Sequence, residues 1–192
     1  MRIFGFNYNQ SMKHASVIVV PYDPTWPLLF DEEKERILTE ISQYVVSVEH
    51  MGSTAVPGLA AKPVIDILIG VRSLADAPHF IPPLFSLGYE YVNRYENEMP
   101  FRRYLHRKVN GEHTHHLHMV EPDTNFYKVQ LAFRDYLRAH SKICDTYAAL
   151  KFDLAEKYRN DRMAYTDAKS DFILGILELC GYPKTGDPND KP

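Results

Sequence analysis

The sequence predicts an α+β protein in which a mixed β-sheet is followed by a helical half. Three observations lead to this prediction. Two apolar runs in the first 75 residues have the length and composition of strands. Two further strand-like runs flank an Asn-Gly pair, which is the favoured two-residue hairpin turn. From Asn125 onward, large apolar residues recur at helical spacing instead.

The first half of the chain alternates between strand and helix signals. A short strand is expected at 16–20, followed by a helix whose apolar positions are Trp26, Phe30, Ile37 and Ile41. Strands are then expected at Val45–Met51 and at 64–71. A helix over 74–87 should be bent, or should start late, because it contains three prolines.

The second half begins with the hairpin and ends in helices. Strands at 101–109 and Glu112–Val120 are joined by Asn110 and Gly111. Three helices should follow, because apolar residues repeat at helical spacing in three groups: Phe126, Val129, Phe133 and Tyr136; Tyr147, Leu150, Leu154 and Tyr158; Ile173, Ile176, Leu177 and Cys180.

We expect one domain over residues 16–182, with a sheet-containing part at 16–122 and a helical part at 123–182. The opening residues 1–15 could be a loose arm or an added strand. The tail 183–192 has the composition of a disordered segment.

Composition excludes some functional classes. Hydrophobic residues make up 45% and charged residues 24% of the chain, which is typical of a globular protein. No run reaches the roughly 18 apolar residues of a membrane helix, and the start lacks a signal-peptide pattern, so a cytoplasmic location with reduced Cys144 and Cys180 is expected. A net charge of -3 gives no strong indication of nucleic-acid binding.

The segment between the first two long strands carries a candidate phosphate site. Gly52 allows the backbone to approach an anion closely, and Ser53 offers a hydroxyl and an N–H donor. Lys62 adds a positive charge, and Asp66 lies inside an apolar strand, where an unpaired carboxylate would be costly. The alternative is a plain strand connection in which backbone N–H groups hold Asp66.

Four of the nine histidines fall in the last strand of the hairpin. Strand alternation places His116 and His118 on one face and His113 and His115 on the other. A regular two-residue hairpin places Arg103 opposite His118, on the same face. Such a face suits an anion, with or without a transition metal. From the sequence alone, however, solvent-facing or hydrogen-bonded histidines are the favoured interpretation.

Several motifs in the same order resemble the GrpB-like family, which is placed in the nucleotidyltransferase superfamily typified by DNA polymerase beta. The resemblance covers roughly 22–177 and rests on GSTAVPGLAAKPVID at 52–66, YDPxWP at 22–27, HLH at 116–118, FRDxLR at 133–138 and residues 147–151. It implies a nucleotidyltransferase-type fold, with a mixed sheet flanked by helices and a C-terminal helical part. The Gly-Ser turn would open the active-site cleft.

The resemblance also implies a site, with one departure. Superfamily members carry Asp-x-Asp/Glu on the strand after the turn and a third acid on a neighbouring strand, and these acids hold two divalent ions. Here Asp66 fits the first position, but Leu68 occupies the second and cannot bind metal. His116 and His118 lie where the third acid-bearing strand is expected. We therefore expect Asp66, His116 and His118 to form a one-metal or proton-transfer site, with Mg, Mn or Zn as the divalent ion.

The phosphate-binding residues expected from this comparison are Gly52, Ser53, Lys62, Arg103 and Arg134. Arg134 could clamp phosphate from the first helix of the second half, or it could pair with a nearby acid. Arg162, Tyr165 and Lys169 could form a second rim of the cleft or pack the last helix.

The expected function is binding of a nucleotide or another phosphorylated small molecule, with metal-dependent nucleotidyl transfer as the reaction. Some relatives of this family are fused to dephospho-coenzyme A kinase. Two alternatives stay open: a catalytically degenerate sensor or partner-binding protein, favoured by Leu68, and a metal-dependent phosphohydrolase built on the histidines.

Overall fold

A computed structural model describes residues 16–182, so the predicted arm at 1–15 and tail at 183–192 lie outside the described residues. The described part contains five strands, which are β1 Val45–Met51, β2 Ile65–Val71, β3 Tyr89–Tyr91, β4 Arg102–Val109 and β5 Glu112–Val120. Its α-helices are α1 Trp26–Ile41, α2 Ala77–Phe80, α3 Asn125–Ala139, α4 Ser141–Lys157, α5 Arg162–Ala168 and α6 Ser170–Leu179. None of these helices combines the length and apolarity needed to cross a membrane.

The five strands form one mixed sheet in the order β1-β2-β5-β4-β3. Only the central pair, β2 with β5, is parallel, and the other neighbours are antiparallel. The predicted α+β class, with a mixed sheet flanked by helices, is confirmed. The parallel pairing sets Asp66 directly beside His116 and Leu68 beside His118.

The two faces of the sheet pack against different helices. On β2, Ile65, Ile67 and Ile69 point into a core shared with α1, whose Ile37 and Ile41 are fully buried. The alternate residues of β2 point to the other face, where Leu68 packs against Phe126 of α3. Helices α3, α4 and α6 build a further core on that side from Leu137, Cys144, Tyr147, Ile173 and Leu177. Since Asp66 alternates with Ile65 and Ile67, it faces this helical half.

Four elements differ from the sequence prediction. Segment 16–20 makes a single bridge, Val20 with Ala61, instead of a strand. The helix expected over 74–87 is broken into 3-10 turns at Leu74–Asp76 and Pro82–Leu87 around the four-residue α2, because proline removes a helical N–H donor. The edge strand β3 and the short helix α5 were not predicted, since each is too brief to show periodicity.

The hairpin has the predicted turn but a different register. Asn110 and Gly111 adopt φ of 52° and 84°, and Val109 pairs with Glu112. Lys108 then pairs with His113, but Arg107 pairs with His115, so Thr114 is an extra residue in β5. Such a β-bulge shifts every later pair by one position.

The predicted position of Arg103 opposite His118 is therefore wrong. Tyr104 pairs with His118, and Arg103 pairs with Met119. Strand alternation then turns Arg102 and Tyr104 toward the helical half, and Arg103 away from it.

A buried ion network fastens the hairpin to α1 on the opposite face. Glu33 is only 2% exposed. Its carboxylate accepts hydrogen bonds from Nη1 of Arg107 at 2.9 and 2.8 Å, from Arg36 at 2.6 Å and from the Tyr89 hydroxyl at 3.0 Å. Burial and the adjacent carboxylate raise the pKa of Tyr89, so its hydroxyl remains a donor. This network joins α1, β3 and β4.

Candidate functional site

The Gly-Ser turn lies directly against Asp66. Strand β1 ends at Met51, and Gly52 follows with φ 70° and ψ -168°, a conformation that is nearly restricted to glycine. A Cβ atom at this position would lie 2.5 Å from Oδ2 of Asp66. The 3-10 turn Ser53–Ala55 then leads the chain away. Glycine is therefore required because the carboxylate occupies the space of a side chain.

Asp66, His116 and His118 lie together, on two neighbouring strands. Nδ1 of His116 donates to Oδ1 of Asp66 at 2.9 Å. One potential ligand atom from each of the three residues lies within 4.8 Å of the other two. Ligands that each lie about 2 Å from one ion are at most about 4 Å apart, so a small inward shift would allow a single ion to bind.

His118 is held by Arg102. Nη1 of Arg102 donates to Nδ1 of His118 at 3.1 Å, and the two residues are 2% and 5% exposed. Burial, followed by Arg102 and His116, lowers the pKa of His118 well below its ordinary value. The ring is therefore neutral at pH 7, as a metal ligand requires. The sequence prediction missed Arg102 because it chose its neighbour, Arg103.

The bulge at Thr114 brings a third histidine onto the same face. Strand alternation without the bulge had placed His113 on the opposite face, and that prediction is wrong. Nε2 of His116 accepts from Nδ1 of His113 at 3.2 Å. Desolvation, reinforced by His116, lowers the pKa of His113 to about 3, so this ring is also neutral. His116 is thus oriented by Asp66 on one side and by His113 on the other.

These side chains line a cavity of about 240 Å³ between the sheet and the helical half. The turn contributes Gly52, Ser53 and Thr54, and the sheet contributes Asp66, Arg102, Tyr104, His116 and His118. The opposite wall comes from α3 to α6 and their connections and includes Gln130, Tyr147, Lys151, Arg162, Tyr165 and Lys169. Lys62 completes the lining. Five of these lining residues are lysine or arginine.

Three lysines of the lining lie against aromatic rings. The ammonium groups of Lys62 and Lys169 lie 5.0 and 4.2 Å from the ring centre of Tyr165. The ammonium group of Lys151 lies 4.7 Å from the ring centre of Tyr147 and donates to the carbonyl oxygen of Ala60.

The same environment changes how readily these lysines hold a proton. Desolvation, followed by Arg162 and Lys169, lowers the pKa of Lys62 to about 7. Desolvation, followed by nearby positive charge, lowers the pKa of Lys151 to about 7 and that of Lys169 to about 8. Protonation of these three lysines is therefore unfavourable unless an anion is bound nearby.

Two of the predicted phosphate-binding residues lie outside the cavity lining. Arg103 donates to the carbonyl of Pro100 at 2.9 Å and lies 3.4 Å from Glu96. Arg134 donates to Glu49 at 2.8 Å, to Asp135 at 2.7 Å and to the carbonyl of His50 at 3.0 Å. Arg134 thus joins α3 to β1, as in the ion-pair alternative. The other three predicted residues, Gly52, Ser53 and Lys62, line the cavity.

Leu68 occupies the position where the superfamily has its second metal-binding acid, and no other acid takes over that role in the described part of the cavity. Neither Glu98 nor Glu121 is among the lining residues. Leu68 is fully buried in a cluster with Met51, Val120 and Phe126. Glu121 lies beyond the end of β5, where Oε1 accepts from the backbone N–H of Leu74 at 3.1 Å. Asp66 is the only acid in the lining of this cavity as far as residues 16–182 define it.

Fold and site together define an α+β protein whose mixed sheet carries one carboxylate and two imidazoles into a cation-lined cavity. The chain belongs to the GrpB family, because residues 16–179 match the family described as GrpB protein. It is 39% identical over 166 residues to the glutamate-rich protein GrpB of Alkalihalophilus pseudofirmus, an alignment that covers 85% of this chain and 95% of that protein.

A solved structure and a longer relative extend the comparison. The crystal structure of the conserved protein GrpB from Enterococcus faecalis matches with a TM-score of 0.77 at 36% identity, covering 84% of this chain and 96% of that one. A protein named dephospho-CoA kinase from Mycolicibacterium paratuberculosis is 30% identical over 193 aligned positions. That alignment covers 88% of this chain but 47% of the relative.

Proposed function

We propose that this GrpB-family protein binds a nucleotide or another phosphorylated small molecule in the cavity and transfers its nucleotidyl group with the help of one divalent metal ion. The observation that carries the proposal is the meeting of Asp66, His116 and His118, with ligand atoms within 4.8 Å, in a cavity whose other charged residues are all cationic. A metal ion held by these three residues would attract a phosphate, and the lysine and arginine side chains of the lining would add to that attraction.

The donor set favours a transition metal. Two imidazoles and one carboxylate suit zinc, manganese or iron, whereas magnesium prefers oxygen ligands. Burial keeps the imidazole of His118 neutral, so at pH 7 the ring has one nitrogen lone pair to offer a metal ion, which Nδ1 uses here to accept from Arg102. A bound ion would act as a Lewis acid on a phosphate oxygen and would lower the pKa of a bound water or hydroxyl.

The protein's own residues then have separate tasks. Ser53 offers its hydroxyl and backbone N–H to phosphate oxygens at the turn. Lys62 and Arg102 stand on the lining as counter-charges. Asp66 and His113 engage both ring nitrogens of His116, so a metal ion bound to this ring would replace one of these two hydrogen bonds.

Arg102 would change partners when metal binds. At present it donates to Nδ1 of His118. If the ion binds Nδ1, that lone pair is used. If it binds Nε2, the neutral ring must carry its proton on Nδ1. In either case Arg102 has to release His118, and its guanidinium becomes available to the phosphate beside the metal.

The test is metal and ligand titration of wild type and Asp66→Asn, with exposed Asp153→Asn as the matched control. Calorimetry should give one site for zinc or manganese in wild type and in the control, weaker binding of magnesium, and no site in Asp66→Asn. A thermal-shift panel should include mono-, di- and triphosphate nucleotides, coenzyme A and dephospho-coenzyme A, the last because of the relatives named dephospho-CoA kinase. A ligand at a hundred times its Kd adds about 2.7 kcal/mol to the unfolding free energy. Equal metal binding by wild type and Asp66→Asn would refute the proposal.

Hydrolysis of a phosphate ester is a second candidate, and the pairing of two imidazoles with a single carboxylate is the observation that favours it. Two-metal nucleotidyl transfer needs the carboxylate that the buried Leu68 replaces, whereas one ion suffices to activate water. Product analysis by ³¹P NMR separates the two reactions: transfer from a nucleoside triphosphate gives a nucleotidylated acceptor and pyrophosphate, whereas hydrolysis of a phosphate ester gives an alcohol and free phosphate. Saturable binding without any product would instead support a sensor.

A further inference from the structure

The cavity also carries a cluster of basic side chains that contains none of the proposed metal ligands and no residue of the Gly-Ser turn. We call Lys62, Lys151, Lys169 and Arg162 the basic end of the cavity. These residues come from the segment before β2, from α4, from the start of α5 and from the junction of α5 and α6. They are far apart in sequence, so their meeting is a property of the fold.

The three lysines of the basic end have no carboxylate partner within the part of the chain that the structure describes. Within residues 16–182, none of its three lysines lies within 4.0 Å of an aspartate or glutamate oxygen. Lys62 and Lys169 share the ring of Tyr165 instead, and Lys151, which is 2% exposed, rests on Tyr147 and the carbonyl of Ala60. Aromatic faces and one carbonyl compensate a buried ammonium group only in part.

The charges of the whole cavity lining also favour an anionic ligand. The lining holds these three lysines and, among residues 16–182, one carboxylate, Asp66, and a bound divalent ion would add further positive charge. A single phosphate carries too little negative charge to balance this excess. A chain of phosphates carries enough, and it has the length to lie at two places at once.

We propose that the basic end is a second anion subsite, which holds the distal phosphates of a ligand with two or more linked phosphate groups. This inference rests on the proposed function, since it places the proximal phosphate of the same ligand beside Asp66, His116 and His118. The substrate class is therefore a phosphoanhydride chain, and a monophosphate occupies only half of the site. The low pKa values of the lysines agree with a subsite that becomes fully protonated when its anion enters.

Two sources of such a chain share this chemistry, a nucleoside triphosphate and inorganic polyphosphate. Binding experiments can separate them by comparing ATP and GTP with inorganic tripolyphosphate. Tighter binding of a nucleotide than of tripolyphosphate identifies contacts to the nucleoside. Equal binding identifies the phosphate chain alone.

The experiment is calorimetry on the full chain in EDTA, so that the metal site does not contribute. The probes are phosphate, pyrophosphate, tripolyphosphate, AMP and ATP. The variants are Lys62→Met and Lys169→Met, which keep the aliphatic stem, and Lys142→Met, an exposed position on α4, is the control. Affinity should increase with chain length, and each cavity variant should weaken tripolyphosphate binding about tenfold, as for loss of one charge-assisted bond. AMP should be weakened much less, and Lys142→Met should match wild type.

The proposed metal site and the proposed second anion subsite can be refuted independently of each other. Asp66→Asn should retain tripolyphosphate binding in EDTA, so the basic end can be established even if no metal binds at Asp66. Conversely, if wild type binds metal but binds phosphate and tripolyphosphate with equal affinity, only the proposal of a second subsite is refuted. The same conclusion would follow if Lys142→Met weakened binding as much as Lys169→Met, because the attraction would then come from the general charge of the surface. The chain-length comparison needs wild type alone and stays decisive if a variant folds poorly.

Discussion

A Cβ atom on Gly52 would lie 2.5 Å from Oδ2 of Asp66, closer than any non-bonded carbon and oxygen can approach. The turn and the carboxylate are therefore fitted to each other, and the backbone at Gly52 has the positive φ of 70° that this approach requires. The glycine of the Gly-Ser turn keeps space for Asp66 and thereby determines where the proposed metal ligand points.

Replacing Gly52 with alanine should displace Asp66 and weaken metal binding. The variant should also lose roughly 1–3 kcal/mol of unfolding free energy, because alanine is strained in this backbone conformation. Gly58→Ala is the matched control, since its φ is 80° but no atom lies within 4 Å of the added Cβ. Metal titration and urea unfolding of both variants test this prediction. If Gly58→Ala reduced metal affinity as much as Gly52→Ala, the close approach to Asp66 would not be the cause.

Arg102 and Arg103 are neighbours in sequence with opposite positions in the fold. Arg102 contacts His118 inside the cavity, whereas Arg103 faces Glu96 on the other side of the sheet. We expect Arg102→Met to weaken binding of a phosphorylated ligand by about tenfold or more, since a charge-assisted hydrogen bond contributes about 1.5–3 kcal/mol. Arg103→Met should leave ligand affinity within about twofold of wild type. Loss of binding in Arg103→Met alone would show that the bulged register is wrong.

The same pair indicates what the sequence could and could not predict. Strand lengths, the Asn110-Gly111 turn and the neighbourhood of Asp66 and His116 follow from local patterns and a family resemblance. The bulge at Thr114 does not, because an extra residue in a strand leaves no mark in a pattern of alternating side chains. Because of this one extra residue, Arg102 instead of Arg103 faces the cavity, and His113 reaches His116.

The basic end of the cavity was harder to predict for a different reason. Lys151 and Lys169 lie on helical segments more than 80 residues after Lys62, and on a helix a lysine is ordinarily a solvated charge. Only the packing of α4 to α6 over the sheet turns them inward. The sequence had offered Lys169 as a possible second rim of the cleft but gave no reason to prefer that to packing.

Glu33 should be among the most important residues for stability. It is buried and accepts hydrogen bonds from Arg107, Arg36 and Tyr89. Removing its carboxylate leaves Arg107 as an uncompensated buried charge, which costs about 3–5 kcal/mol. Glu33→Ala should lower the midpoint of urea unfolding strongly, and Glu32→Ala, on an exposed position of the same helix turn, should not. A double variant Glu33→Gln, Arg107→Met should recover part of the loss, and no recovery would contradict this explanation.

His50 should make the fold sensitive to acid. Desolvation lowers its pKa from 6.5 to about 4, and its ring stacks on Phe30 at 4.7 Å while Nε2 donates to Thr54. Between pH 6.5 and pH 4 the unfolded chain binds more protons than the folded one, so stability falls as pH falls through this window. His50→Gln should reduce the slope of melting temperature against pH there, whereas His79→Gln, at an exposed position, should not change it. Equal slopes in wild type and His50→Gln would rule out this contribution.

The basic end of the cavity should have an effect of the same sign on the alkaline side. Lys62 has a pKa of about 7 in the fold against an ordinary 10.5, because of desolvation and because Arg162 and Lys169 outweigh Asp66 nearby. Below pH 7 this lysine is charged in both states and its effect on stability is constant. Above pH 7 the folded form releases its proton while the unfolded chain retains it, so the unfolding free energy should increase with pH up to about 10.

A phosphate chain should remove this increase, because it stabilises the charged lysines and returns their pKa toward the ordinary value. The melting temperature in EDTA should therefore rise from pH 7 to pH 9 in the ligand-free protein, by about 2–4 °C for each kcal/mol gained. With tripolyphosphate the melting temperature should be higher at pH 7 and should converge on the ligand-free value toward pH 9. The reason is that the lysines of the ligand-free protein are less charged at pH 9, so the anion binds them less tightly. Lys62→Met should flatten the ligand-free curve, and Lys142→Met should not. A ligand effect that stayed constant across this range would mean that the bound anion lies away from Lys62, Lys151 and Lys169.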